Sequence, residues 1–306
     1  MKKVIFLGTP DFSIPTLDKL YRDSDIDLMF VLTKQDKKSD RGMKVNFSPV
    51  KNYCIEHNIK YYQPNKLKTD REIISLIKDS EPDFLVVVAY GEILSKEILD
   101  IPRACINGHA SLLPKYRGSS PIQGCILNGD RVTGVTTMLM AEGLDSGDIL
   151  LKSELTLSGN EDCEFLFNKL STMTADLVID TLENFEDIKK IPQNESDASY
   201  VKLVKKEDGF VDLKNEKIDI LCRKVRAYNP WPSVYTRLND KFLKIFRVER
   251  VNQILSNDVI WIDDVFFIAN SELYANLIDG TIKILELQLE GKKKLSSKDF
   301  INGYKK

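Results

Sequence analysis

Three short runs of unbroken apolar side chains constrain the fold class most: Val4-Ile5-Phe6-Leu7, Leu28 to Leu32, and Phe84 to Ala89. None alternates apolar with polar, so each reads as a strand buried on both faces, as in a parallel sheet. Between them lie segments with helical spacing. Phe12, Ile14, Leu17 and Leu20 fall within Pro10 to Arg22, and Ile73, Ile74 and Ile77 share a face in Asp70 to Asp79. Ser48 is placed to cap a helix that has Pro49 in its first turn. Ile59 to Tyr62 and Cys105 to His109 read as further strands, and Glu161 to Asn184 as a long amphipathic helix. Strands alternating with helices predict an α/β class, a doubly wound Rossmann-like domain, over residues 1–190.

The pattern changes at Ile191-Pro192-Gln193. Residues 191–205 are polar, with Pro, Asn and Ser, and read as a linker. Residues 206–306 begin with one helix, Ile218 to Arg226, followed by short β-rich runs. These are Ser233 to Leu238, Phe242 to Val251, Val265 to Ile268 and Thr281 to Leu289. Turn signals at Asn239-Asp240 and Asp279-Gly280 predict a small antiparallel β-barrel of the OB-like kind.

Composition narrows the function classes. Of 306 residues, 42% are apolar and 29% charged, a globular and not a disordered balance. The longest apolar run, Phe84 to Tyr90, falls far short of the roughly 20 residues of a membrane span. In the opening MKKVIFLGTPDF, Gly8, Pro10 and Asp11 interrupt the apolar stretch. It therefore reads as a first strand and not a signal peptide, and a cytoplasmic protein without membrane contact is expected. The five cysteines (Cys54, Cys105, Cys125, Cys163 and Cys222) are odd in number and lack CxxC spacing. Neither a disulfide framework nor a structural metal site is expected. His57 and His109 are the only histidines, so a catalytic imidazole has two candidates. Residues 206–306 carry 18 Lys+Arg against 15 Asp+Glu, and residues 1–205 carry 26 against 31. A mildly basic C-terminal part permits nucleic-acid contact.

The chemistry concentrates between Asn107 and Leu150. Asn107 and His109 stand two apart at the end of a predicted strand, so both side chains share a face. In an open α/β sheet that strand end is where ligands bind. Asp145 follows in Gly143-Leu144-Asp145-Ser146-Gly147-Asp148, a tight loop flanked by glycines. A carboxylate brought to His109 would orient the imidazole and stabilise its protonated form. The three side chains would then supply an oxyanion donor, a proton acceptor and an orienting anion. Taken singly, a histidine or a turn of this kind is usually structural; the ordered combination carries the reading.

The string Asn107-x-His109, Ser111-Leu112-Leu113-Pro114 and Gly143-Leu144-Asp145-x-Gly147-Asp148 resembles the formyltransferase family that uses 10-formyltetrahydrofolate. The likeness is close to the branch whose acceptor is methionyl-initiator tRNA, and it spans nearly the whole chain. It includes Phe6 to Leu17, Arg41 to Lys51, Val86 to Leu99, Arg226 to Thr236 and Glu290 to Tyr304. The resemblance implies formyl transfer from 10-formyltetrahydrofolate, with no metal, to the α-amine of methionyl-initiator tRNA by a monomer. Asn107, His109 and Asp145 would be catalytic. The folate would lie along Val88, Tyr90, Gly91, Ile93 and Glu142, beside the turn Ser111, Leu112, Leu113 and Pro114. Arg117-Gly118 is expected near either the acceptor or the folate.

The loop Lys34 to Lys44 holds five basic and two acidic residues, a charge suited to a phosphate backbone. By resemblance it would contact the acceptor stem through Lys37, Lys38, Arg41 and Lys44, with Met43 standing where a second basic residue is common. The C-terminal barrel would add Lys292, Lys293 and Lys294, with Arg223, Lys224 and Arg226 as a second basic cluster. Trp231, between Pro230 and Pro232, reads as packing at the domain boundary. The opening Gly8-Thr9-Pro10-Asp11-Phe12 is no GxGxxG, so a nicotinamide cofactor has no fingerprint. Alternative acceptors on the same chemistry are an amino-sugar nucleotide or another small amine. An RNA-binding module with an inactive α/β part is the rival from another class.

Overall fold

The computed structural model describes residues 1–38, 45–251 and 258–304. The chain forms two compact units, one of residues 1–121, 132–156 and 166–202, the other of residues 122–131, 157–165 and 203–306.

The first unit is built on a seven-stranded sheet. Its strands are β1 (Lys2–Gly8), β2 (Ile26–Leu32), β5 (Tyr61–Tyr62), β6 (Phe84–Val88), β7 (Ala104–His109), β9 (Val132–Leu139) and β10 (Ile149–Thr156). Short pairs β3 (Lys37–Lys38) with β4 (Val45–Asn46), and β8 (Arg117–Gly118) with β11 (Tyr200–Val201), lie outside it. The sheet order is β10-β9-β7-β6-β1-β2-β5. β5, β2, β1, β6 and β7 run parallel, β9 adds antiparallel to β7, and β10 adds antiparallel to β9. The order reverses beside β1, which makes the carboxyl ends of β1, β6 and β7 the crevice where a ligand site belongs.

Helices α1 (Ile14–Arg22), α2 (Pro49–Glu56), α3 (Arg71–Ser80), α4 (Lys96–Leu99), α5 (Pro121–Asn128) and α6 (Cys163–Glu183) follow the strands. Ser48 caps α2 by accepting the Lys51 N–H at 3.1 Å, and Asp70 caps α3 by accepting that of Ile73 at 3.2 Å. Ile5, Leu7, Phe30, Leu32, Leu85 and Val87 send one sheet face against Ile74 and Ile77 of α3. On the other face Gly108 lets α6 approach β7. A Cβ there would come within 2.5 Å of the Thr174 methyl. Covered on both faces, the strands need no polar alternation.

Two sequence expectations change. The strand expected over Ile59 to Tyr62 shrinks to Tyr61–Tyr62, because the Ile59 N–H closes the end of α2 on the Cys54 carbonyl. The expected linker is ordered against the first unit. Ile191 exchanges two backbone hydrogen bonds with Ile149, and Tyr200–Val201 pairs with Arg117–Gly118.

The second unit holds α7 (Ile218–Tyr228) and an antiparallel sheet. Its strands are β12 (Val234–Leu238), β13 (Lys241–Arg250), β14 (Val259–Trp261), β15 (Phe266–Ala269), β16 (Glu272–Leu277), β17 (Gly280–Leu289) and β18 (Leu295–Ser296), with α8 (Ser297–Tyr304) last. The order is β12-β13-β17-β16-β15-β14, with β18 on β17. Leu243, Ile245, Leu273, Ile282, Ile284 and Leu287 are buried in its core beside Leu221 and Val225 of α7. Among the described residues no helix is long and apolar enough to cross a membrane.

Candidate active site

β7 ends at the sheet's carboxyl edge on Asn107-Gly108-His109, paired to β6 at Val87. The pleat sends residues 107 and 109 to one side, and both are buried. The third residue comes from the loop after β9. Asp145 sits at φ 47°, in the left-handed region that a short polar side chain tolerates. Its Oδ1 accepts from Asn107 Nδ2 at 3.4 Å, and its Oδ2 lies 3.8 Å from His109 Nδ1. The second distance exceeds a hydrogen bond, so imidazole and carboxylate face each other across a gap. The three residues therefore meet around one space.

The ring of His109 has a defined direction. The Tyr116 carbonyl, 2.9 Å from Nε2, can only accept, so Nε2 carries its hydrogen there. Nδ1, facing Asp145, is the nitrogen left to exchange a proton. Buried thiols offer no competing nucleophile, since burial pushes Cys54 and Cys105 up to about 12 and Cys163 up to about 11. Among the described residues no three His, Cys, Asp or Glu side chains are grouped to hold a metal ion.

Asp145 is fixed by partners that no motif announces. The Gly118 N–H donates to Oδ2 at 2.8 Å. Gln193 Nε2 donates to the Asp145 carbonyl at 2.9 Å and to that of Gly147 at 2.7 Å. Gln193 Oε1 in turn accepts from Arg117 Nε at 3.0 Å and Nη2 at 2.9 Å. Arg117 also donates to both oxygens of Glu195 and to the Tyr200 hydroxyl, and its guanidinium is only 1% exposed. Those bonds hold the Glu195 carboxyl below its usual range. Within the chain the Arg117 guanidinium turns to Gln193, Glu195 and Tyr200. Sequence reasoning missed Gln193 because it falls in the stretch read as linker.

Ser111 to Pro114 forms a buried turn with a cis Leu113–Pro114 peptide. Ser111 Oγ donates to the Lys115 carbonyl at 2.6 Å. Thr136 Oγ1 accepts the Leu113 N–H at 3.1 Å and donates to the Ser111 carbonyl at 2.7 Å. Ser111 and Leu113 are buried, and Leu112 and Pro114 half-buried. The side chains of Val88 and Tyr90 are also buried, that of Tyr90 in the core cluster with Leu94 and Ile98. Gly91 and Glu142 are exposed, as are the apolar side chains of Ile93 (65%) and Leu144 (50%). Val88 and Tyr90 are thus withdrawn into the core, while Ile93 and Leu144 present apolar surface.

The basic residues divide likewise. Lys37 and Lys38 form β3, while Arg41 and Lys44 lie outside the described residues. Lys292 and Lys293 are exposed, but Lys294 is paired with Glu286 at 2.6 Å. The second cluster is engaged within its own unit. Arg223 donates to the carbonyls of Leu127 and Asn128, Lys224 pairs with Glu216, and Arg226 donates to the Glu161 carbonyl.

Comparison with known proteins agrees with this layout. Residues 2–182 match the family Formyl transferase, and residues 203–305 match Formyl transferase, C-terminal domain. The chain is 42% identical over 306 residues to the methionyl-tRNA formyltransferase of Clostridium acetobutylicum, covering 99% of this chain and 97% of that one. It is 41% identical over 304 residues to the methionyl-tRNA formyltransferase of Clostridioides difficile, covering 98% and 96%. Among solved structures, WlaRD, a sugar 3N-formyl transferase, matches with a TM-score of 0.67 at 20% identity, over 96% of this chain and 99% of that one. HypX from Aquifex aeolicus in complex with tetrahydrofolic acid matches with a TM-score of 0.62 at 17% identity, over 99% of this chain and 47% of that one. At such identities the two structures speak for the fold alone. With both family regions matched in order and full-length relatives above 40% identity, the chain belongs to the formyl transferase family, among the methionyl-tRNA formyltransferases.

Proposed function

We propose that this chain transfers the formyl group of 10-formyltetrahydrofolate to the α-amino group of methionyl-initiator tRNA, in the cytoplasm. The observation that carries the reading is the meeting of Asn107, His109 and Asp145 around one space at the carboxyl edge of the sheet. The full-length identity to methionyl-tRNA formyltransferases favours tRNA as the acceptor.

The amine nitrogen attacks the formyl carbon and a C–N bond forms. The carbonyl electron pair moves onto oxygen, where Asn107 Nδ2–H and His109 Nδ1–H donate to the oxyanion. Asp145 takes the proton that the attacking amine loses. Collapse of the tetrahedral centre breaks the bond to folate N10, which leaves with a proton delivered from the same network. Donors aimed at the developing oxyanion typically contribute about 3–4 kcal/mol each. Holding amine and formyl carbon together adds a proximity contribution. Ile93 and Leu144 fit a flat heteroaromatic ring, as exposed apolar side chains. Residues 1–190 would bind folate and catalyse, and residues 206–306 would contact tRNA.

The test supplies charged initiator tRNA and an amino-sugar nucleotide separately, with the formyl-folate, and follows the formylated product. Only the tRNA should be formylated. Replacing Asp145 by Ala should lower turnover by at least about 100-fold while tRNA binding persists. Transfer to the sugar and not to the tRNA would overturn the acceptor, and unchanged turnover in the variant would overturn the role of Asp145.

A further inference from the structure

The second unit carries a groove of about 430 Å³ that the transfer chemistry does not use. That size falls within the roughly 300–1,000 Å³ of small-ligand pockets. Its lining includes Trp231, Tyr235, Phe242, Lys206, Lys244 and Gln288. The sequence reading has Trp231 packed away, yet it stands 58% exposed, and Phe242 is 40% exposed. Together with Tyr235 they line one groove with open aromatic surface, the kind of grouped patch that marks a binding site.

The register explains how these residues assemble. Tyr235, Lys244 and Gln288 are direct neighbours across β12, β13 and β17, so they form one row on one sheet face. In the adjoining row Arg237 pairs with Phe242, its guanidinium 4.9 Å from the ring centroid. Tyr235 and Phe242 meet edge to face at 5.6 Å. Among the described residues neither Lys206 nor Lys244 makes an ion pair. The groove's one carboxylate, that of Glu290, accepts the Phe242 N–H at 3.2 Å, so it is partly occupied. Lys292 and Lys293, both exposed, follow directly on Gly291 at the groove's edge.

Unpaired ammonium groups beside open aromatic faces match one chemistry best. An apolar peptide would leave the lysines unanswered, and an acidic peptide would leave the rings unanswered. A nucleotide answers both, with a base that stacks and a phosphate that pairs. We propose that this groove seats an unpaired nucleotide of the RNA substrate, its base on Trp231 and its phosphate drawn by Lys206 and Lys244. The proposal rests on the tRNA reading above and assigns the binding face of the second unit to this row of side chains as well as to the lysine run.

The experiment uses the full chain with Trp261→Phe, which leaves Trp231 as the one tryptophan. A short single-stranded oligoribonucleotide and uncharged initiator tRNA should each quench its fluorescence, whereas an acidic peptide should not. In formylation assays Trp231→Ala should raise KM for methionyl-tRNA roughly 5- to 150-fold, the range that loss of one stacked base spans, with kcat unchanged at saturation. Trp231→Phe should recover most of the loss. Lys206→Gln with Lys244→Gln should flatten the salt dependence of binding by about 0.7 in log–log slope, the value for one single-strand phosphate. An unchanged KM in Trp231→Ala together with no quenching by RNA overturns the proposal, and so does quenching by peptide alone. If the wild-type chain fails to formylate tRNA but RNA still quenches Trp231, the acceptor reading falls and the groove assignment stands.

Discussion

The aim of the Asp145 carboxylate depends on an amide 48 positions along the chain. Asp145 occupies a left-handed conformation that costs a non-glycine residue of order 1 kcal/mol or more. Gln193 offsets that cost by bridging two carbonyls of the loop, and Arg117 fixes which way the amide points. Removing the amide leaves those carbonyls without their donor and frees the loop, yet leaves the three reacting side chains in the sequence. Gln193→Ala should therefore lower kcat by roughly 10- to 100-fold, the usual penalty for misplaced catalytic groups, with KM for folate and tRNA little changed. Gln193→Glu keeps an acceptor for Arg117 but loses the donor, so it should not rescue. In an Asp145→Ala background the Gln193 change should add almost nothing, because both act through one carboxylate. Full additivity in that cycle would show that Gln193 acts elsewhere.

At the scale of elements, a carboxylate closes the turn that precedes α6. Glu161 accepts the Ser158 N–H at 2.8 Å and the Gly159 N–H at 2.9 Å. Burial acts to raise its pKa, but these backbone donors outweigh burial and bring the group down to about 2 from 4.5. A lowered carboxylate pKa means that the ionised form stabilises the fold. That contribution is complete above pH 4.5 and is lost as pH falls from there through about 2. Glu161→Gln should cost about 1–2 kcal/mol at pH 7, read as a lower urea midpoint. The gap between the two proteins should narrow steadily below pH 4.5, and a gap that stays constant down to pH 3 would refute the assignment. Elements differ in how legible they are before folding. β1 and β6 are readable because burial on both faces writes an apolar run into the sequence. β9 is not, because Thr133, Thr136 and Thr137 interrupt its run. Those hydroxyls become acceptable inside only when Thr136 reaches the Ser111 carbonyl and Thr137 meets Thr181 at 2.7 Å, partners set by tertiary structure. The site divides the same way. Asn107 and His109 declare themselves by a spacing of two, and Asp145 by its glycine-flanked loop. Gln193 has no local pattern because its partners are backbone carbonyls far along the chain.

At the scale of the whole molecule, a formal net charge of −2 gives no general attraction for RNA, so association must rely on where the positive charge is gathered. Local pairing decides which lysines remain available. Lys294 is neutralised by Glu286 and also lies over the Phe246 ring, and Lys224 is neutralised by Glu216. Lys34 is drawn back to the Gly91 carbonyl at 2.6 Å, and Lys51 to Asp36 at 2.5 Å. We propose that the phosphate contacts of the first unit fall to the other basic residues of the Lys34 to Lys44 stretch, of which Lys37, Lys38 and Arg41 are the three to replace. Each phosphate contact contributes about 0.9 to the slope of log K against log salt for a duplex. Replacing all three by Gln should lower that slope by roughly 2–3 and weaken tRNA binding most at low salt, while kcat at saturating tRNA holds. Lys294→Gln should change the slope by far less than one contact, because its charge already has a partner. Equal slopes for the wild-type and triple variants would place the acceptor-stem contact elsewhere, and a full-contact loss from Lys294→Gln would mean that RNA outcompetes Glu286 for it.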